Sequence, residues 1–216
     1  MSGCGFGWVL LAMALYGGLH SALASHTAKR LAERWLGSPT RVRRYYRLTF
    51  SLLAVLTLLP VFALVLWLPD TPLYRIPWPW TVLTLAGQAL GGFIILIALR
   101  RTGIMDFLGL TQAINLPQAR VARLQTEGIY RLMRHPLYTG SLLVIWLMPL
   151  MTCNLLAFNL GTTAYFILGA YLEESKLRTE FGPTYEDYAR RTPMFIPRLS
   201  TLLGDLCRCS GLRWPS

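Results

Sequence analysis

Apolar positions in this chain fall into blocks separated by short polar stretches. A helix needs about 20 mostly apolar residues to cross a bilayer. Five blocks approach or reach that length: Phe6 to Ala24, Tyr45 to Leu68, Trp80 to Leu99, Pro136 to Cys153 and Asn154 to Leu172. Pro60 lies inside the second and predicts a kink. Trp67, Trp78 and Trp80 stand near block ends, where aromatic belts form. The fourth and fifth blocks adjoin, so they predict a tight hairpin. At 1.5 Å per residue its first arm spans about 27 Å, slightly under the hydrocarbon core. The turn Thr152-Cys153-Asn154 is therefore expected just inside the outer surface. The pattern predicts an all-α integral membrane fold of five transmembrane helices, with a C-terminal helical hairpin and a cytoplasmic segment after it. It divides the chain into helices 1–3 with an inner loop (1–125), a core (126–199) and a weakly patterned tail (200–216).

Composition agrees with the blocks. Hydrophobic residues make up 54% and charged residues 14%, at a mean hydropathy of +0.43. A soluble domain carries nearer a quarter charged residues. The net charge of +11 lies between the blocks, which suits a membrane surface better than nucleic acid. Lys and Arg number 0, 7, 1, 6, 0 and 7 in the successive segments flanking the five blocks, with Arg47 at the start of the second block counted in the first loop. The positive-inside rule then places the N-terminus out and the C-terminus in the cytoplasm. The expected location is a bacterial inner membrane.

Other features refine this picture. Ala22-Leu23-Ala24 resembles a cleavage site, but no Lys or Arg precedes the first apolar run, so that run reads as a retained helix. Cys4, Cys153, Cys207 and Cys209 form no CxxC pair and no zinc-spaced cluster; neither a metal site nor a disulfide framework is expected. Gly87-x-x-x-Gly91, with Gly92 following, predicts a close helix crossing. Gly17 and Gly18 offer the same in the first helix. His20 sits near the end of that helix. An intramembrane histidine is either a helix–helix hydrogen-bonding residue or part of a substrate or cofactor site.

The candidate chemistry lies at the inner end of the hairpin. Pro136 suits the first position of a helix, where its missing N–H costs little. The helix terminus it opens carries free N–H groups and partial positive charge, and attracts anions. Arg134 and His135 stand just before it. The hairpin returns at Leu172 and brings Glu173-Glu174 back to the same face. Acids at a helix C-terminus oppose its dipole and need a partner, such as Arg131, Arg134 or a ligand. Phe181, Tyr185 and Tyr188 share one helical face. Thr192-Pro193 stops that helix, and Met194 to Pro197 is an apolar return segment that could lid a pocket. A basic interfacial flank, a surface salt-bridge cluster and an interfacial helix account for the same residues without a ligand.

A resemblance names one. Thr126-x-Gly128-x-Tyr130-x-x-x-Arg134-His135-Pro136-x-Tyr138-x-Gly140 resembles the signature of the isoprenylcysteine carboxyl methyltransferase superfamily. Glu173-Glu174-x-x-Leu177-x-x-x-Phe181-Gly182-x-x-Tyr185-x-x-Tyr188, with Ile196-Pro197, resembles its second half. Leu19-His20-Ser21 and Phe107-x-Gly109-Leu110-x-Gln112 are similar to the methanethiol S-methyltransferase branch. The resemblance implies a methyltransferase using S-adenosylmethionine, with a pocket open to the bilayer for a lipophilic or small thiol or carboxylate acceptor. It implies cofactor contacts from Gly128, Tyr130, Arg134, His135, Pro136, Tyr138, Glu173, Glu174, Tyr185 and Tyr188, with Glu174 and Arg178 near the transfer point. A membrane reductase using NAD(P)H with a related core, and a non-enzymatic protein retaining the fold, are the alternatives.

Overall fold

The computed structural model describes residues 3–114 and 124–197. The tail 200–216 and the middle of the longest inner loop lie outside the described residues. The fold is mostly helical. In chain order it has α1 (Phe6–Leu23), α2 (His26–Leu36), α3 (Pro39–Trp67), β1 (Pro72–Arg75), α4 (Trp80–Thr102), α5 (Ile104–Leu108), α6 (Leu110–Ala113), a 3-10 turn (Gly128–Arg131), α7 (Pro136–Trp146), β2 (Leu150–Thr152), α8 (Cys153–Phe181) and α9 (Pro183–Arg191). Among the described residues, four helices are long and apolar enough to cross a membrane: α1, α3 from Arg44 onward, α4 and α8. Their outward faces carry large exposed apolar side chains such as Leu15, Leu56, Leu83 and Phe93, as lipid-facing helices do.

The block expected as a fourth spanning helix is built differently. α7 has 11 residues and reaches only about 16 Å. The rest of the block is non-helical and ends in β2, which pairs antiparallel with β1 in the register Tyr74↔Met151 and Arg75↔Leu150. Pro149 accounts for the break, because a residue before proline avoids helical geometry. Backbone freed in this way must find internal partners inside a membrane. Gln88 of α4 donates to the Val144 carbonyl at 2.8 Å, and Asn159 of α8 donates to the Ile145 carbonyl at 2.8 Å. Those two side chains satisfy carbonyls at the end of α7.

α7 crosses α4 at glycine. A Cβ on Gly91 would lie 2.7 Å from the Gly140 carbonyl oxygen, so the backbones touch where the Gly87-x-x-x-Gly91 spacing predicts. α1 and α8 pack together, with α3 beside them. Their core is Val9, Val65 and Ala157, surrounded by Phe6, Leu64, Leu68 and Phe158.

At the end of this core Asn154 donates to the carbonyls of Leu68 and Pro69, and the Gly5 N–H also donates to Pro69. There Cys4 and Cys153 form a disulfide, where the sequence predicts no disulfide framework. A separation of 149 residues left no local pattern to announce the pair.

α8 also runs further than its apolar block. It continues to Phe181, so Glu173 and Glu174 lie about two turns inside the helix and not at its end. The dipole penalty expected for them therefore does not arise.

Candidate active site

The N-terminus of α7, the inner part of α8 and α9 converge on one cluster. His135 caps α7 with Pro136 at the first helical position, as the sequence predicts. α8 carries Glu173, Glu174 and Arg178. After a break at Gly182, α9 starts with Pro183 at its first turn and brings Tyr185 and Tyr188 back toward α8.

Glu174 is the buried centre, 2% exposed. Its Oε1 accepts from Arg134 Nε at 2.7 Å and faces His135 Nε2 at 3.2 Å. Its Oε2 accepts from Arg178 Nη2 at 3.4 Å. A buried carboxylate is tolerated only when paired and hydrogen-bonded, and three donors meet that need. Arg134 also donates from Nη1 to the carbonyls of Ala189 and Thr192, closing the C-terminal end of α9. Its guanidinium is thus taken up by protein groups.

Glu173 is different. Its side chain is 52% exposed. The Tyr138 hydroxyl donates to its Oε2 at 3.3 Å, and His135 Nδ1 lies 3.6 Å from the same oxygen. His135 therefore stands between the two carboxylates, one ring nitrogen facing each. Tyr138 stacks on the His135 ring at 5.4 Å between centroids.

The return segment closes over this cluster. The N–H groups of Arg134 and His135 donate to the carbonyls of Pro193 and Met194, and the Thr139 hydroxyl donates to Phe195. These bonds tie the two residues ahead of Pro136 to the return segment. Phe195 lies against the His135 ring at 5.9 Å.

Tyr130 and Tyr188 form the flank. The Tyr188 hydroxyl donates to the Tyr130 carbonyl at 2.7 Å. Burial, with the Glu173 charge added, pushes the Tyr130 phenol up to about 12. Burial and then the Glu174 charge push Tyr185 up to about 12 as well. Both phenols stay neutral across the physiological range.

Gly128 has φ +63°, a conformation other residues rarely adopt, and a Cβ there would meet the Arg101 guanidinium at 3.3–3.4 Å. The sequence reading counted Arg101 only as an inner-loop charge. Its place in the last turn of α4, the helix that crosses α7 at Gly91, is the available signal.

The structure thus gathers Arg134, His135, Pro136, Tyr138, Glu173, Glu174, Arg178 and Tyr185 in one network, with Tyr130, Gly128 and Tyr188 at its edge.

Comparison with known proteins fits this geometry. The family model described as phospholipid methyltransferase matches residues 80–184. Methanethiol S-methyltransferase 2 of Bradyrhizobium diazoefficiens is 35% identical over 194 residues, covering 88% of this chain and 72% of that protein. The chain belongs to this family of membrane methyltransferases. A second relative in the family, methanethiol S-methyltransferase of a Pseudomonas species, is 30% identical over 94% of this chain and 80% of its own length. Protein-S-isoprenylcysteine O-methyltransferase B of Arabidopsis thaliana is 35% identical over 46% of this chain and 52% of that protein. No solved structure matches the chain. The family's matched region takes in α4, α7, all of α8 and the first two residues of α9, and so includes most of the residues of the cluster.

Proposed function

We propose that this protein transfers a methyl group from S-adenosylmethionine to a small thiol at the inner surface of a cell membrane. The observation that carries the reading is the half-exposed Glu173 carboxylate, held by Tyr138 and His135 above a buried and charge-balanced Arg134–Glu174 pair. The donor set fits the cofactor. An open carboxylate suits an ammonium or ribose hydroxyls, Arg178 is a half-exposed cation paired with the neighbouring Glu174, and Tyr130, Tyr138, Tyr188 and Phe195 supply aromatic surface. S-adenosylmethionine, when bound, supplies an electrophilic methyl on a sulfonium.

The protein's own residues then bind, orient and exclude water, which is how positioning lowers a transfer barrier. Glu173 binds, and His135 and Tyr138 hold its carboxylate in place. Glu174, sealed under three donors, has a positioning role and does not reach the transfer point. Arg178 stays near that point.

A thiol acceptor is favoured because the relatives that align over most of this chain are named for one, while the isoprenylcysteine enzyme aligns over less than half. The site lies on the side of the basic segments, and the Cys4–Cys153 disulfide lies at the other end of α8. Disulfides persist in oxidising compartments. That arrangement supports an N-terminus outside and a cytoplasmic site.

Isothermal titration in lipid nanodiscs tests the cofactor, with binding of S-adenosylmethionine and its demethylated product expected and none for NADPH. Radiolabelled transfer to ethanethiol, an isoprenylcysteine analogue and lipid extract tests the acceptor. Label appearing only in lipid or isoprenylcysteine would overturn the thiol.

A further inference from the structure

His20 lies outside the cluster described above, yet rings connect it to that cluster. Its imidazole packs against Phe50 of α3 at 4.6 Å, Tyr16 of α1 at 5.7 Å and Tyr165 of α8 at 5.7 Å. From Tyr165 the contacts continue to Phe166 at 5.8 Å, to Tyr138 at 4.8 Å and to His135 at 5.4 Å.

α1 and α8 run parallel in matched steps. Met13 lies against Gly161 and Gly17 against Tyr165. One turn further, the register brings the small residues Ser21 and Gly169 to the same level. The Tyr138 hydroxyl reaches that level from α7, 3.6 Å from a Cβ built on Gly169. Tyr138 thus joins the aromatic cluster to Glu173.

His20 Nδ1 is buried and has no hydrogen-bond partner among the described residues. A helix–helix hydrogen bond is therefore not what this atom does in the fold. Leaving a buried polar atom unpaired is costly, and such atoms call for an explanation. The titratable groups facing the ring are the phenols of Tyr16 and Tyr165; α3 contributes only Phe50, and the nearby Tyr46 hydroxyl is tied to the Leu23 carbonyl. An aromatic cluster that holds, among the described residues, one nitrogen base and no carboxylate or cation suits a small neutral molecule with one weak acid group. Sulfur also packs well on aromatic rings.

We propose that this cluster is the acceptor site and that His20 takes the proton of the thiol. The inference rests on the methyl transfer to a thiol proposed above. The thiolate is the reactive form of the sulfur, so a base must hold the proton. The acceptor sulfur forms a bond to the methyl carbon as the sulfonium C–S bond breaks. The electron pair of that bond stays on the donor sulfur, which becomes a neutral thioether. The thiol proton passes to His20 Nδ1 and leaves to solvent after the product departs.

The test uses wild type and His20→Gln in nanodiscs, with affinity for S-adenosylmethionine measured by titration. Methylation of ethanethiol and of ethaneselenol, which is ionised at neutral pH, is followed from pH 6 to 9. The variant should bind S-adenosylmethionine within about twofold of wild type. Its rate on ethanethiol at pH 7 should fall about 100-fold, the usual contribution of a positioned base. The deficit should shrink toward pH 9, and the selenol rate should stay within about threefold of wild type.

A rate on ethanethiol within threefold of wild type overturns the inference, and so does an equal deficit on thiol and selenol. If His20→Gln loses the cofactor, His20→Asn repeats the comparison, and loss of binding in both gives His20 a purely structural role and overturns it. Wild type that binds no S-adenosylmethionine, or methylates no thiol, overturns the proposed function itself and this inference with it.

Discussion

Arg134 Nε lies 2.7 Å from Glu174 Oε1, across 40 residues of chain, and the same guanidinium closes the end of α9. One side chain therefore joins α7, α8 and α9. Removing one partner of a buried pair leaves the other charge uncompensated, at a cost of about 3–5 kcal/mol. Arg134→Ala should lower the midpoint of thermal unfolding in detergent by roughly 6–12 °C or more for a chain of this size. A shift under about 2 °C would show that the network does not hold these helices together.

The two adjacent glutamates should separate cleanly. Glu173 is half-exposed and makes one direct hydrogen bond, so Glu173→Gln should leave the unfolding midpoint within about 2 °C of wild type, as surface changes usually do. A lost charge-assisted contact of about 1.5–3 kcal/mol should weaken S-adenosylmethionine binding roughly 10- to 150-fold by titration. Glu174→Gln should lower stability and affinity together. Equal behaviour of the two variants would remove the assignment.

Gly91 and Gly92 give a second adjacent contrast. A Cβ on Gly91 meets the backbone of α7, whereas nothing lies within 4 Å of one on Gly92. Gly91→Ala should destabilise by about 1–3 kcal/mol through overpacking. Gly92→Ala should be neutral or slightly stabilising, since alanine is the better helix former. Paired thermal unfolding curves decide between them.

Asn159→Leu should uncover the Ile145 carbonyl at the end of the half-helix. An unsatisfied buried carbonyl costs about 1–3 kcal/mol. Lower yield of folded protein and a lower unfolding midpoint are expected, with cofactor affinity largely kept.

Cys4 and Cys153 should resist a membrane-impermeant maleimide in intact cells until an impermeant reductant is added, and label after it. Labelling that requires cell lysis would reverse the orientation.

The sequence made the spanning helices and most of the site legible because both are written in local periodicity and in a dense motif. Pro136 opened α7 where its chemistry predicts, and Gly91 met a backbone where small residues should. Three features escaped. α7 is half a helix because Pro149 interrupts a run whose hydropathy never falls. Glu173 and Glu174 sit inside α8 because a helix does not stop where its apolar face does; Ser175 to Phe181 continue it as a polar helix. The Cys4–Cys153 pair depends on the packing of α1 against α8, which no short window contains. Within the site, the reading placed the acids opposite Arg134 but did not separate them. Burial separates them, and burial follows from which way each side chain points on α8.

The carbonyls of Pro193, Met194 and Phe195 hold the N-terminus of α7 from a point some sixty residues downstream. During synthesis, α7 and α8 are made before that segment. The pocket cannot close until translation has passed Phe195, so a nascent or truncated chain ending earlier holds the helices without the finished site.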